Sequence, residues 1–553
     1  MAGKQRSKTS KGAQTAKSEG TPVVTFRAAA RALSIPELLS IIFSFCEAPE
    51  LARSARVCKT WSDPALDQLW EDLEGISPLL DLVVDSESID AARLDPTNLE
   101  ILSSALSNAD WPRFHSYAKR VQLFHFDDPR RFVGFLEIPV LTSGLIGTIC
   151  LHHPYGPSLM PRLKRLDWST CRSVLPIIPF ISENLLHLDL ELCDASDTQI
   201  KQTFNALQNR PLKLKTFRLD TNAIGAASEM AFARWLDKMD TLEQIELPPY
   251  YLTDRILNTI KSFPQLKIIS QPETPNYRYN DAGTLGTLPS GSFPSLVELT
   301  LPATPAAAQR LLFNSPTDFT SLIVLNLHAP KDIEANRILG FTQQLPNHCP
   351  MIAMLELALF LSPEFRRQGV SVLPIEILES LYPCKNLVAL RIGHPFPLKL
   401  TPADVENMGR SWPEMRHLCL CSDPDFYFSV AEQTGNSLSI LSTFASHLPN
   451  IITLGLYFEG DEPMKFGGHL HPKHQFIQLH SLLVGLSPIP KTHSRDIGFY
   501  LASLCSETVR VSYGHGAWRG EMMPPDTAER AKAWREVGEV MVFAMRIKLA
   551  KER

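Results

Sequence analysis

Residues 163–171, Leu-Lys-Arg-Leu-Asp-Trp-Ser-Thr-Cys, and residues 185–193, Leu-Leu-His-Leu-Asp-Leu-Glu-Leu-Cys, are two copies of one pattern. Apolar residues stand at positions 1, 4 and 6 of each, the spacing of a short strand entered from a turn. The pattern returns as Leu214-x-x-Phe217-x-Leu219, Leu242-x-x-Ile245-x-Leu247 and Leu296-x-x-Leu299-x-Leu301. Further starts are Leu322, Ile352, Leu387, Met415, Ile451 and Leu479, with a defective one at Leu266. In a chain that is 44% apolar, three fixed apolar positions coincide by chance at about 9% of starts, so single matches prove little. The spacing carries the argument. Successive starts lie 22 to 36 residues apart, a period that marks an array of stacked units.

Two further features place these strands in a repeat. Three residues beyond the last apolar position stand Cys171, Cys193 and Asn222, small groups able to point inward and satisfy turn backbone. Tyr250, Thr304 and Pro330 fill that slot later, so the later units are degenerate. Two residues before a start stand Pro161, Pro264, Pro294, Pro350, Pro413 and Pro449, which end a preceding helix and tolerate the first position of a strand. Amphipathic stretches such as Ala226 to Leu236 and Ile375 to Leu381 lie between strands. The pattern resembles the leucine-rich repeat. The expected fold class is α/β, with a curved leucine-rich-repeat-like solenoid over residues 160–520.

Upstream, Ser34-Ile35-Pro36-Glu37 reads as a helix start, with Ser34 as cap, Glu37 reaching back and Pro36 in the first turn. Leu38, Ile42 and Phe45 form one apolar stripe, and Leu39, Phe43 and Cys46 form a second one residue round. Short helices follow at Pro49-Glu50-Leu51 and after Asp63-Pro64, carrying Leu66, Leu69, Trp70 and Leu73. So small a unit cannot bury two apolar faces alone, and either the next domain or a partner covers one of them. Ile35-Pro36-Glu37-Leu38-Leu39, Ile42-Phe43, Leu51, Ala55, Val57-Cys58-Lys59-x-Trp61, Leu66 and Leu69-Trp70 closely resemble the F-box family, apart from Ile35 in place of leucine and a short loop before Leu51. The resemblance implies a three-helix module over residues 31–75 that binds a Skp-family adaptor and, through it, a cullin. It puts Ile35, Pro36, Leu38, Leu39, Ile42, Phe43, Leu51, Val57, Cys58, Trp61, Leu69 and Trp70 at the contact. Trp111-x-x-Phe114 and Tyr117 to Leu123 are similar to the linker of F-box proteins of mushroom-forming fungi.

The remaining organisation follows from composition. Residues 1–30 read as a disordered basic tail, with Lys4, Arg6, Lys8, Lys11 and Lys17 against Glu19. Residues 76–159 read as a helical linker with the first irregular units. Residues 521–553 hold a capping helix, started by Asp526 and Glu529, with Ala533, Val537, Val540, Ala544 and Ile547 on one face; a partner-binding helix is the alternative. Net charge is 54 minus 59, or −5, over 553 residues, which gives no global attraction for nucleic acid or anionic lipid. No run of apolar residues is long enough to span a membrane. The ten cysteines form no C-x-x-C pair, as expected of reduced thiols in cytoplasm or nucleus.

Known catalytic patterns are missing. Gly283, Gly286 and Gly291 fit neither a dinucleotide nor a phosphate loop, and no G-x-S-x-G occurs. His469-x-His471-x-x-His474 sits among Gly467, Gly468 and Pro472 and reads as a surface loop. Cys419-x-Cys421 reads as two strand residues facing away from Leu418 and Leu420. The expectation is a non-catalytic receptor with no cofactor and no metal, either the substrate-recognition subunit of an SCF-type ubiquitin ligase or an interaction scaffold. Its target face would be the outward strand positions, where Asp167, Asp189, Glu191, Asp220 and Glu246 outnumber Arg165 and Arg218.

Overall fold

The computed structural model of the chain describes residues 31–85, 99–127, 141–154, 158–170, 175–192, 195–223, 225–272, 286–317, 319–329, 331, 333–360, 370–424, 435–459, 474–514 and 526–552. Three short helices open it, α1 (Pro36–Phe43), α2 (Ala48–Ser54) and α3 (Lys59–Leu69). A single sheet of 15 parallel strands follows, paired in sequence order throughout. The strands are β1 (Asp72–Glu74), β2 (Leu123–Asp127), β3 (Arg165–Ser169), β4 (His187–Leu192), β5 (Thr216–Thr221), β6 (Gln244–Glu246), β7 (Ile268–Ser270), β8 (Glu298–Leu301), β9 (Val324–Ala329), β10 (Met354–Leu359), β11 (Ala389–Gly393), β12 (His417–Leu420), β13 (Thr453–Leu456), β14 (Ser481–Leu483) and β15 (Arg510–Ser512). Helices such as Asp197–Leu207, Ala226–Leu236, Ala335–His348 and Pro402–Ser411 cross from one strand to the next. The fold is α/β: a three-helix unit, a leucine-rich-repeat-like solenoid and a C-terminal helix.

All twelve starts read from the sequence, Leu266 among them, enter a strand from β3 to β14. The sheet also extends beyond them at both ends. Val121-x-x-Phe124-x-Phe126 obeys the same 1, 4, 6 rule, with all three residues buried, and makes β2. β1 grows directly from the end of α3, so the sheet begins at Asp72 rather than near residue 160.

Along each strand the side chains alternate. The inward set, such as Leu188, Leu190 and Leu192, enters one continuous core with the helices, and the outward set lines the open face. A lone unit would leave its leucines bare on both sides, so each is buried chiefly by its neighbours. The turns are joined the same way. The residue before a strand start donates to the proline carbonyl of the preceding unit: Asn184 Nδ2 to Pro161 O at 2.8 Å, Ser295 Oγ to Pro264 O at 2.7 Å, Asn386 Nδ2 to Pro350 O at 3.3 Å and Asn450 Nδ2 to Pro413 O at 3.2 Å. The prolines therefore mark boundaries and also serve as acceptors. Helix starts are capped by Ser196, Thr253, Thr304 and Thr401.

Several local expectations are corrected. Ser34 does not cap α1: its hydroxyl turns back to Arg31 O at 2.7 Å, and the cap position is Ile35. α3 starts at Lys59 and runs through Pro64 instead of starting after it. Asn222 is exposed, and buried Thr221 ties the turn instead, donating to Leu192 O at 3.0 Å; Cys171 and Cys193 lie outside the described residues. Cys421 is buried in the core, because its φ of 47° breaks the strand alternation after Leu420. The role of an inward amide falls to Asn436, which the spacing did not single out. It donates to Leu398 O at 2.9 Å and Tyr457 O at 3.1 Å and accepts from Leu400 N at 2.8 Å, joining three units.

The C-terminal helix, Thr527–Glu552, lies along the helix Ser494–Leu504 and buries Ala533, Trp534, Val537, Met541 and Met545, whereas Ile547 is exposed. Trp534 is its anchor. The indole donates to Ser487 O at 2.8 Å, and Arg530 adds a bond to Leu486 O at 2.9 Å. Trp534→Ala is expected to cost about 3–5 kcal/mol in urea unfolding, and deletion of residues 524–553 to cause aggregation or a lower Tm.

His394, after β11, is fully buried and accepts from the Phe396 N–H at 3.1 Å. Burial pushes its imidazole down to about 4, while the unfolded chain titrates near 6.5. The unfolded state therefore takes the proton first, and this residue's contribution, complete above pH 6.5, is lost as pH falls toward about 4. His394→Asn keeps an acceptor without that titration, and its Tm should decline less than the wild type's across this interval.

Candidate functional site: an apolar helical face and the open face of the sheet

The three-helix unit has a small core of its own, Leu39, Phe43, Leu51 and Ala65, with Cys46, Ala55, Trp61 and Leu69 partly buried against it. Trp61 closes it, its ring edge-on to Phe43 at 5.6 Å and its Nε1 donating to Leu33 O at 3.0 Å. α2 is set by a capping box between Glu47 and Glu50.

Of the two apolar stripes on α1, Leu39 and Phe43 with Cys46 face this core, and Leu38, Ile42 and Phe45 face solvent. The expected contact set is thereby divided. Ile35, Pro36, Leu38, Ile42, Val57 and Cys58 are exposed together. Leu39, Phe43 and Leu51 are removed from the surface and hold up the exposed set, because a trihelical unit needs those side chains for its interior. Trp61, Leu69 and Trp70 are half-buried. The structure adds Leu33, Ile41 and Phe45 to the exposed surface, with Phe45 85% and Ile41 59% exposed beside Val57 at 62%. Phe45 was legible as the next member of the Leu38–Ile42 stripe. Ile41 was equally legible, three residues after Leu38 and four before Phe45, whereas Leu33, ahead of the helix, carried no spacing signal.

This unit is joined to the solenoid without a loop. Trp70, at the end of α3, meets Tyr117 at 4.8 Å between ring centres, and Gln122 N and Leu123 N both donate to Glu71 O at 2.9 Å. Arg120 reaches back to Asp63 Oδ1 at 2.7 Å and to Asp67. Trp111 and Phe114, from the expected linker, are core residues of the solenoid.

On the open face, register brings His125, Asp167, Asp189, Arg218 and Glu246 into one row across β2 to β6, with Glu191 opposite Asp220 in the next. The stripe is net acidic, yet its charges are mostly paired with one another. Arg218 binds Asp189 at 3.0 Å and Glu246 at 2.8 Å and lies 3.8 Å from Asp220, and Arg165 binds Asp167 at 2.9 Å. His125 lies 2.9 Å from Asp167 and 3.1 Å from Asp72. Burial pushes the Asp189 and Glu246 carboxyls up against the pull of Arg218. Asp220, expected at the surface, is buried beneath the guanidinium.

Residues 36–74 match the F-box-like family model. This segment is an F-box-like domain. Its match ends at Glu74, the last residue of β1, so the F-box-like domain and the sheet share a strand. No curated protein matches the chain. Among solved structures, the crystal structure of the Rad7 and Elc1 complex in yeast is similar at 12% identity, covering 79% of this chain and 91% of that one with a TM-score of 0.32. The TLR13–ssRNA13 complex is similar at 11% identity, covering 76% of this chain and 53% of that one, with a TM-score of 0.28. Among the described residues no cluster of three His, Cys, Asp or Glu could hold a metal, and no helix is long and apolar enough to cross a membrane. His469 and His471 lie outside the described residues.

The two stripes of the F-box-like domain predict opposite responses to truncation. Leu39→Ala is expected to cost about 2–5 kcal/mol through a cavity, and Phe45→Ala to change stability by less than about 0.5 kcal/mol. Chemical denaturation of the two variants checks this.

Proposed function

We propose that the chain is the substrate-recognition subunit of an SCF-type cullin ubiquitin ligase, with the F-box-like domain binding a Skp-family adaptor and the solenoid holding a target protein. The observation that carries it is the set Leu33, Ile35, Leu38, Ile41, Ile42, Phe45 and Val57, left exposed by a unit whose own core is already filled. Apolar side chains gathered on one surface mark an interaction site. The rigid junction supports the same reading, because a target on the open face is then held at a constant position relative to the adaptor. Catalysis would come from other subunits, by proximity. Within this class, the similarity of Trp111 to Leu123 to the linker of F-box proteins of mushroom-forming fungi supports a reading beside them. An interaction scaffold outside a ubiquitin ligase is the alternative reading, and the compartment proposed is cytoplasm or nucleus.

Affinity purification with mass spectrometry separates the two. The proposal expects a Skp-family adaptor and a cullin with the wild type, and recovery of neither favours the scaffold. Phe45→Asp combined with Val57→Asp should abolish adaptor recovery with the melting curve unchanged, since both side chains are exposed. Trp61→Ala, or Pro36 and Leu38 replaced together, should abolish it as well. Adaptor recovery at wild-type levels in these variants rejects the assignment of the contact.

A further inference from the structure

Most carboxylates of the open face have a basic partner: Asp167, Asp189, Glu246 and, through Arg391 at 3.7 Å, Glu356. Glu298 is different. It opens β8 and is partly buried, and its carboxylate makes no ion pair or hydrogen bond among the described residues. Burial alone pushes its carboxyl up. Its neighbours in register are Ile268 on one side and Val324 on the other, followed by Met354 and Ala389. Met354 is 46% exposed.

The residues one step before these strands change character over the same units. Lys164, Leu186, Lys215, Glu243 and Lys267 stand there from β3 to β7, and Arg416, Ile452 and His480 from β12 to β14. Between them the place is taken by Val297, Ile323, Ala353 and Val388, with Ile323 exposed. Four consecutive units therefore present an apolar strip to solvent at one edge of the open face, with one uncompensated carboxylate inside it.

We propose that this strip is where the target docks, and that its occupant is a polypeptide segment presenting a Lys or Arg side chain to Glu298 and an apolar side chain to Met354 and Ile323. This rests on the reading that the open face holds the target. A partly buried carboxylate without a counter-ion is stabilised by a cation brought to it, and the apolar edge is removed from water by the same contact. The two anchors are two strands apart, about 10 Å at about 4.8 Å per strand. A polyproline-II segment rises about 3.1 Å per residue with three residues per turn, so side chains three apart share one face and span that distance. The paired stripe around Arg218 is a poorer anchor, because an incoming cation there has to compete with a guanidinium already in place.

The test uses the full chain without adaptor, so its outcome is independent of the ubiquitin-ligase assignment. A displayed library of random short peptides is selected on the protein, and the selected peptides are measured by fluorescence anisotropy. The expected result is enrichment of a Lys or Arg three residues from a large apolar residue. Glu298→Gln should weaken these peptides about tenfold and flatten their salt dependence. Met354→Ala should weaken them without altering the salt dependence, and Trp61→Ala should leave binding unchanged. Selection of peptides without a cation, or binding by the Glu298 and Met354 variants as tight as by the wild type, overturns the proposal. A concentration-dependent dimer in light scattering that Met354→Ala abolishes also overturns it, by making a second copy the occupant.

Discussion

Everything in this molecule depends on the burial of one unit's strand leucines by the next unit. The 1, 4, 6 residues of each strand enter a core that runs without a break from Leu73 to Met545. The parallel ladder keeps those residues level from strand to strand, as in the alignment of Leu355 with Leu325 and Leu390. Because burial comes chiefly from neighbours, the ends are where such an array is weakest. Here both ends are closed by helical structure, α3 continuing into β1 at one and Thr527–Glu552 lying on the last helix at the other.

The same constraint gives the open face its character. Inward positions are spoken for by the core, so variation is confined to the outward rows and the turn before each strand. In the early units those rows carry charges that pair across strands, with Arg218 between Asp189 and Glu246. In the middle units the row of Glu298 turns apolar at Val324, Met354 and Ala389, while the next row stays polar through Thr300, Asn326, Glu356 and Arg391. Degeneracy in the later units is therefore a change of surface within an unchanged core, since Leu299, Leu325, Leu355 and Leu390 all stay buried.

The junction has a mechanical meaning. Glu71 O accepts two backbone bonds from the turn before β2, and Arg120 grips α3 through Asp63 and Asp67. The end of the helical unit is thus the first rung of the ladder, and a change of angle between them would have to break sheet hydrogen bonds.

The periodicity of Leu163 to Leu479 by itself determined the parallel array, since a residue's parity along a strand sets its face whatever surrounds it. The F-box pattern was equally local, a matter of spacing on short helices. Tertiary structure alone decided which of two equivalent stripes on α1 turns inward, because Leu38 and Leu39 are alike until α3 and Trp61 arrive on one side. It alone put Asp220 beneath Arg218 and left Glu298 without a partner, because pairing depends on residues a full repeat away. It alone made Val121-x-x-Phe124-x-Phe126 a strand, because β1 and β3 on its two sides supply the bonds and the burial that so short a segment lacks on its own.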